Sequence, residues 1–144
     1  MTTRTRDYVV AEALSWIDTP FVHSAAVKGV GVDCAHLVKD VGVRSGFEFN
    51  GDLPAYGTTP DIRVMSKELE RYLDPIPFRS VREGDLLWFK SEGLLHLGIV
   101  VESEPLTMVH AHNGRSRQKV ILTRVFGEWR KSIVGCYRYR GIEG

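Results

Sequence analysis

The sequence predicts an α+β domain in which N-terminal helices pack on an antiparallel sheet. Apolar residues recur at helical spacing through the first half of the chain. From Gly84 onward they give way to short β-rich runs separated by turn residues, and helices followed by strands imply this class. The chain has 144 residues, enough for one substantial core and too few for two ordinary ones, so 1–144 reads as one domain. A hydrophobic share of 43% excludes a disordered chain.

The first helix is expected over Arg6 to Ile17, where Val10, Ala13, Leu14 and Ile17 fall at i, i+3, i+4, i+7. The Asp18-Thr19-Pro20 stretch ends it, since proline disfavours helix in the residue before it. A glycine-bearing loop follows. The second helix is expected to start at Asp33 or Cys34, because Cys34, Leu37, Val38 and Val41 repeat the same spacing and Asp33 suits an N-cap. Gly46 is its expected stop. Residues 50–61, NGDLPAYGTTPD, read as a turn-rich connection. A shorter helix is expected over Ile62 to Tyr72 with Met65, Leu69 and Tyr72 inward. Then come the runs DLLWFK, LLHLGIVVE, LTMVHAH, QKVILTRV and SIVGCYRYR, each reading as a strand, with a hairpin corner at Glu104-Pro105.

A net charge of +1, from 19 basic and 18 acidic residues, lacks the basic surplus that nucleic-acid binding needs. Arg115, Arg117 and Lys119 read as a solvated hairpin. No apolar run approaches the roughly 18 residues of a membrane span. The N-terminal residues lack the pattern of a signal peptide, so the chain is expected to be made in the cytoplasm without an export signal of its own. Cys34 and Cys136 lie far apart with no CxxC pair, which disfavours a disulfide and a structural zinc site. Cys136 reads as core, and Trp16, Trp88 and Trp129 as packing residues, Trp88 lying near the cleft.

Cys34 belongs to the first turn of the second helix, where partial positive charge would lower a thiol pKa and favour a nucleophile. The competing reading is a small buried hydrophobe. In LLHLGIVVE, period two puts Leu95, Leu97, Ile99 and Val101 on one face and His96, Gly98 and Val100 on the other. His96, with room beside Gly98, suits a general base. A third group would hold its tautomer. Met108, His110 and His112 share a face of the next strand, and periodicity alone leaves His110 and His112 as equal candidates.

Taken in order, VDCAHLV, HLGIVVE and MVHAH resemble the NlpC/P60 family of papain-like cysteine peptidases, whose elements are a D-C-S-G-like helix start, an H-V/L-G-I strand and an I/V-H-A strand. TPFVHSAAVKGVGVDC resembles the phage-tail and gene-transfer-agent branch. REGDLLWF and EWRKSIVGCYRY resemble the family's strand entry and its closing tryptophan with last strand. The resemblance covers nearly all of residues 4 to 140.

It implies a papain-like fold with Cys34 as nucleophile, His96 as base and His110, rather than His112, as the orienting residue. It implies an endopeptidase acting on peptidoglycan stem peptides, associated with phage tail proteins, carried in the virion tail and acting at the cell wall during DNA entry. No cofactor, metal, nucleic acid or membrane is expected as a partner. Phe21, His23, Asp33 and His112 are the expected substrate-side residues, with Asp33 mainly a helix cap. Phe21 stands where the family has a tyrosine, whose hydroxyl His23 would replace. The family's Ser-Gly after the cysteine is Ala35-His36 here, with His36 expected to face solvent. Two other readings stay open: a tail-assembly component that keeps the fold without catalysis, and a metal hydrolase using Cys34, His96, His110 and His112.

Overall fold

Helix α1 (Arg6–Leu14) opens the chain, capped by the Thr5 hydroxyl, which accepts from the Tyr8 N–H at 3.2 Å. The structure, a computed structural model, describes residues 2–49, 62–91 and 94–144. After α1 come a two-residue pair, β1 (Ala26–Val27) and β2 (Gly31–Val32), then α2 (Cys34–Arg44) and α3 (Ile62–Leu69). The remaining elements are β3 (Leu73–Ile76), a 3-10 turn, β4 (Leu86–Ser91), β5 (Leu94–Ser103), β6 (Leu106–Asn113), β7 (Gln118–Arg124), the short α4 (Glu128–Lys131) and β8 (Ile133–Tyr139). The sheet is antiparallel throughout, in the order β3-β8-β4-β5-β6-β7. The α+β class and all five expected strands are present. The connection expected over residues 50–61 and the inward placement of Met65 lie outside the described residues.

Helix α2 follows its sequence pattern closely. Cys34, Leu37, Val38 and Val41 are buried in the main core between the helices and one face of the sheet. It ends in a Schellman motif: the Gly46 N–H donates to Val43 at 3.0 Å, the Phe47 N–H donates to Gly42 at 2.9 Å, and Gly46 takes a φ of +98°.

Helix α1 differs from expectation. It stops at Leu14, and its inward face is Val9 and Ala13, continued by Trp16, rather than Val10 and Leu14, while Ile17, past the helix end, is partly buried against the same core. Leu14 is exposed. Two overlapping apolar stripes satisfy the helical period here. Trp16 decides between them, burying its ring while its Nε1–H donates to Glu12 at 2.8 Å. Helix α3 also stops short of Tyr72, at Leu69, which is buried.

Strand alternation places Leu95, Leu97 and Ile99 on the helical face, with Val109, Ala111 and Leu86. Leu87, Phe89, Val100, Met108 and Cys136 form a second cluster on the other face. Gly98 does not leave room for His96: the Met108 Sδ occupies the space where its Cβ would stand. Cys34 and Cys136 are both free and buried, and Trp88 is core, only 1% exposed, rather than a cleft edge.

At the far end of the sheet, Asp85 is wholly buried beneath two arginines. Arg6 Nη1 donates to it at 3.0 Å and Arg138 at 2.9 Å through both Nε and Nη2, while the Arg82 N–H adds a bond at 2.8 Å. Removing one partner of such a cluster leaves buried charge without compensation. Asp85→Ala is therefore expected to destabilise the protein by about 3–5 kcal/mol in urea denaturation. An unchanged midpoint would show the cluster to be dispensable.

Candidate active site

Asp33 sets where α2 begins. Its Oδ1 accepts from the His36 N–H at 2.8 Å, and its Oδ2 from the Ser24 N–H at 2.8 Å. His36 folds back so that its Nδ1 lies 2.8 Å from Oδ1. It is half-buried against the cap and does not face solvent as expected. Ala35 is buried, 6% exposed, so the sequence departure at 35–36 alters the helix start rather than opening it.

The next constraint comes from the sheet. The β5–β6 ladder ends at Ile99↔Val109. Beyond it, residues 94–98 of β5 pair with β4, and His110 to Asn113 pair with β7. The Val100 N–H and C=O are both turned to the β4 side, bonding Asp85 and Gly84 at 2.8 Å. Alternation therefore turns the Leu97 N–H the other way, toward β6, where no ladder partner remains. Cys34 packs in the same core cluster as Leu97, whose N–H opposes the rise of its thiol pKa.

The histidines gather on the opposite face of the sheet. His96 Nε2 and His110 Nδ1 are 2.7 Å apart, and His110 Nε2 lies 2.8 Å from the Thr123 hydroxyl. The Trp129 indole stands edge-on to His110 at 5.1 Å and to Phe89 at 5.3 Å, with His96 at 5.9 Å and His112 at 6.3 Å. His110, not His112, is the direct partner of His96. His112 packs on His110 at 5.3 Å. Trp129 and Thr123 are the residues sequence reasoning missed: Trp129 read as simple packing, and no local pattern marks Thr123.

Among the expected substrate-side residues, Phe21 is half-buried on the main core, bridged to Val32, with its N–H donating to Gln118 at 2.8 Å. His23 is exposed in the turn with Ser24. Asp33 is the buried cap and His112 is half-buried beside His110. Cys34 itself is 1% exposed, and among the described residues no hydrogen bond joins its sulfur to either histidine. The thiol and the two rings approach the same strand edge from different sides. Among the described residues no cluster of three or more His, Cys, Asp or Glu side chains is arranged to hold a metal.

Electrostatics makes the resting site neutral. Burial pushes the Cys34 thiol up to about 12 and the Asp33 carboxylate adds to the rise, against opposing hydrogen bonds from the Leu97, Ala35 and Cys34 N–H groups. The lowered thiol pKa expected from the helix start does not appear, because desolvation outweighs the favourable N–H groups. Burial lowers His96 to about 4 and His110 to about 2, with the neighbouring histidines adding to both. His112 is lowered too, by burial and then by Arg117.

No family model matches the sequence, and no curated protein matches it. Solved structures do. A Bacillus cereus NlpC/P60 family protein aligns over 94% of this chain with a TM-score of 0.71 at 15% identity. An NLP/P60 family lipoprotein-like protein of Staphylococcus aureus aligns over 96% with a TM-score of 0.67 at 19% identity. The chain has the NlpC/P60 fold. It spans 40% and 42% of the length of those two proteins. The NlpC/P60 domain of the peptidoglycan hydrolase SagA is matched over 97% of its own length and 92% of this chain, with a TM-score of 0.65 at 21% identity.

The histidine pair links stability to pH. Both folded-state pKa values lie below the ordinary 6.5, so below about pH 6.5 the unfolded chain binds protons that the folded chain does not. Their stabilising contribution is complete above pH 6.5 and is lost as pH falls toward 4. In urea denaturation at pH 7.0 and 4.5, the wild type is expected to lose more stability between the two than His110→Gln. Equal losses would mean that the pair is protonated in the folded state.

Proposed function

We propose that this chain is a cysteine endopeptidase that cuts stem peptides of bacterial peptidoglycan, with Cys34 as nucleophile, His96 as base and His110 as the residue that orients it. The observation that carries this reading is the hydrogen-bonded His96–His110 pair on the strand whose next residue, Leu97, packs with Cys34 at the helix start. The substrate class is supported by the likeness to the SagA domain, named as that of a peptidoglycan hydrolase.

The chemistry suits a neutral pair. The His96 Nδ1 takes the thiol proton as the sulfur attacks an amide carbonyl, much as a hydroxyl nucleophile is activated by a neutral imidazole. The N–H groups of Cys34, Ala35 and Leu97 that face the sulfur are donors available to the developing oxyanion. Collapse breaks the C–N bond while His96 returns the proton to the leaving amine. His96 then takes a proton from water, which attacks the thioester and releases the acid and the thiol. Because His96 titrates near 4, it remains an unprotonated base well into the acid range.

The tail assignment rests on the resemblance of TPFVHSAAVKGVGVDC to the phage-tail branch. On this reading the protein is held by tail proteins, travels with the virion and opens the wall during DNA entry.

A second reading has an observation of its own. The sulfur is buried, its pKa is pushed up to about 12, and no hydrogen bond joins it to His96. That is the chemistry of a tail component that keeps the fold without cutting.

Mass spectrometry of defined muropeptides separates the two. Wild type is expected to release a new fragment, Cys34→Ala none, and His96→Ala to cut at least about 100-fold more slowly. Cleavage that survives Cys34→Ala would sink the peptidase reading. No cleavage by folded wild type of either mesodiaminopimelate or lysine stem peptides would favour the tail component.

A further inference from the structure

We propose that Thr123 is a positioning residue that sets, through His110, which nitrogen of His96 carries its proton. The role rests on the peptidase reading of Cys34 and His96; the placement of the proton does not.

His110 is wholly buried, and both its ring nitrogens are engaged: Nδ1 with His96 Nε2 at 2.7 Å, and Nε2 with Thr123 Oγ1 at 2.8 Å. A neutral imidazole carries one N–H and one bare nitrogen. The three groups therefore form a chain that can run in only two directions. In the first, His96 Nε2–H donates to His110 Nδ1, and His110 Nε2–H donates to the Thr123 oxygen. His96 Nδ1 is then bare and can take a proton from a thiol. In the second, the Thr123 O–H donates to His110 Nε2, and His110 Nδ1–H donates to His96 Nε2. His96 Nδ1 then already holds a proton and cannot act as base.

Thr123 is the far terminus of this chain. It projects from β7 opposite Met108 and is half-buried, so its own O–H can turn to water while its lone pair accepts from His110. That arrangement supports the first direction. Trp129, standing edge-on to His110, fills the flank of the ring where water could otherwise offer a competing partner. Without the hydroxyl, His110 Nε2 is buried and unpaired whichever direction the chain runs, and a buried polar atom without a partner is costly in either form. Nothing at the far end then selects a tautomer, and His96 divides between both.

Long-range proton–nitrogen spectra of ring-labelled histidines at pH 7 read the tautomers directly. Wild type is expected to carry its proton on Nε2 of both His96 and His110. Thr123→Val is expected to give a mixture at His96 and to lower kcat for muropeptide hydrolysis at least about 10-fold with KM unchanged. Thr123→Ser, which keeps the hydroxyl, is expected to restore both. A wild-type His96 protonated on Nδ1 overturns the proposal without any variant. So does a folded Thr123→Val protein that keeps the wild-type tautomer. If wild type cuts no muropeptide while Thr123→Val still shifts the His96 tautomer, the peptidase reading falls and the placement by Thr123 stands.

Discussion

The Asp33 carboxylate accepts from two backbone N–H groups nine and three residues away in sequence, those of Ser24 and His36. One bond fixes the first turn of α2 and the other ties that turn to the segment before β1. Because α2 starts at the next residue, the bond also fixes where the Cys34 sulfur stands relative to the sheet. The position is useful only because β5 and β6 part beyond Ile99↔Val109 and leave the Leu97 N–H without a strand partner. A cap and an interrupted ladder together set the thiol against the strand that carries His96.

The same arrangement explains the charge state. A helix N-terminus and three converging N–H groups favour a thiolate, but they act on a sulfur almost without contact with water, and Asp33 brings a negative charge beside it. Desolvation prevails. Across the strand, burial strips His96 and His110 of their usual basicity. The thiol and the two imidazoles therefore rest as neutral groups rather than as a standing ion pair.

Much of this was legible in the sequence, for identifiable reasons. Strands β4 to β8 carry alternation, and α2 carries both an apolar period and a capping aspartate, so local pattern and tertiary packing agree. The β3 strand escaped notice because Pro75 disguises it, and proline is tolerated there because β3 is an edge strand. Helix α1 presents two apolar stripes, and only the tertiary seat of Trp16 chooses between them. Asp85 and Thr123 were beyond local reading for a simpler reason. Their side-chain partners lie from 13 to 79 residues away, at separations that no short motif encodes.

The two ends of the chain lie side by side. The Arg6 N–H donates to Glu143 at 3.0 Å, the Glu143 N–H donates to Arg4 at 2.8 Å, and the Arg6 guanidinium continues inward to Asp85. Tension applied through residues 2 and 144 would therefore meet these few contacts first. Because the two segments run parallel there, it would load those bonds in shear and, through Arg6, pull on the arginine–aspartate cluster. The cluster is joined in turn to the strand of His96, since Asp85 and Gly84 bond the Val100 backbone next to the point where β5 and β6 part, so a load on the chain ends has a short path to that edge.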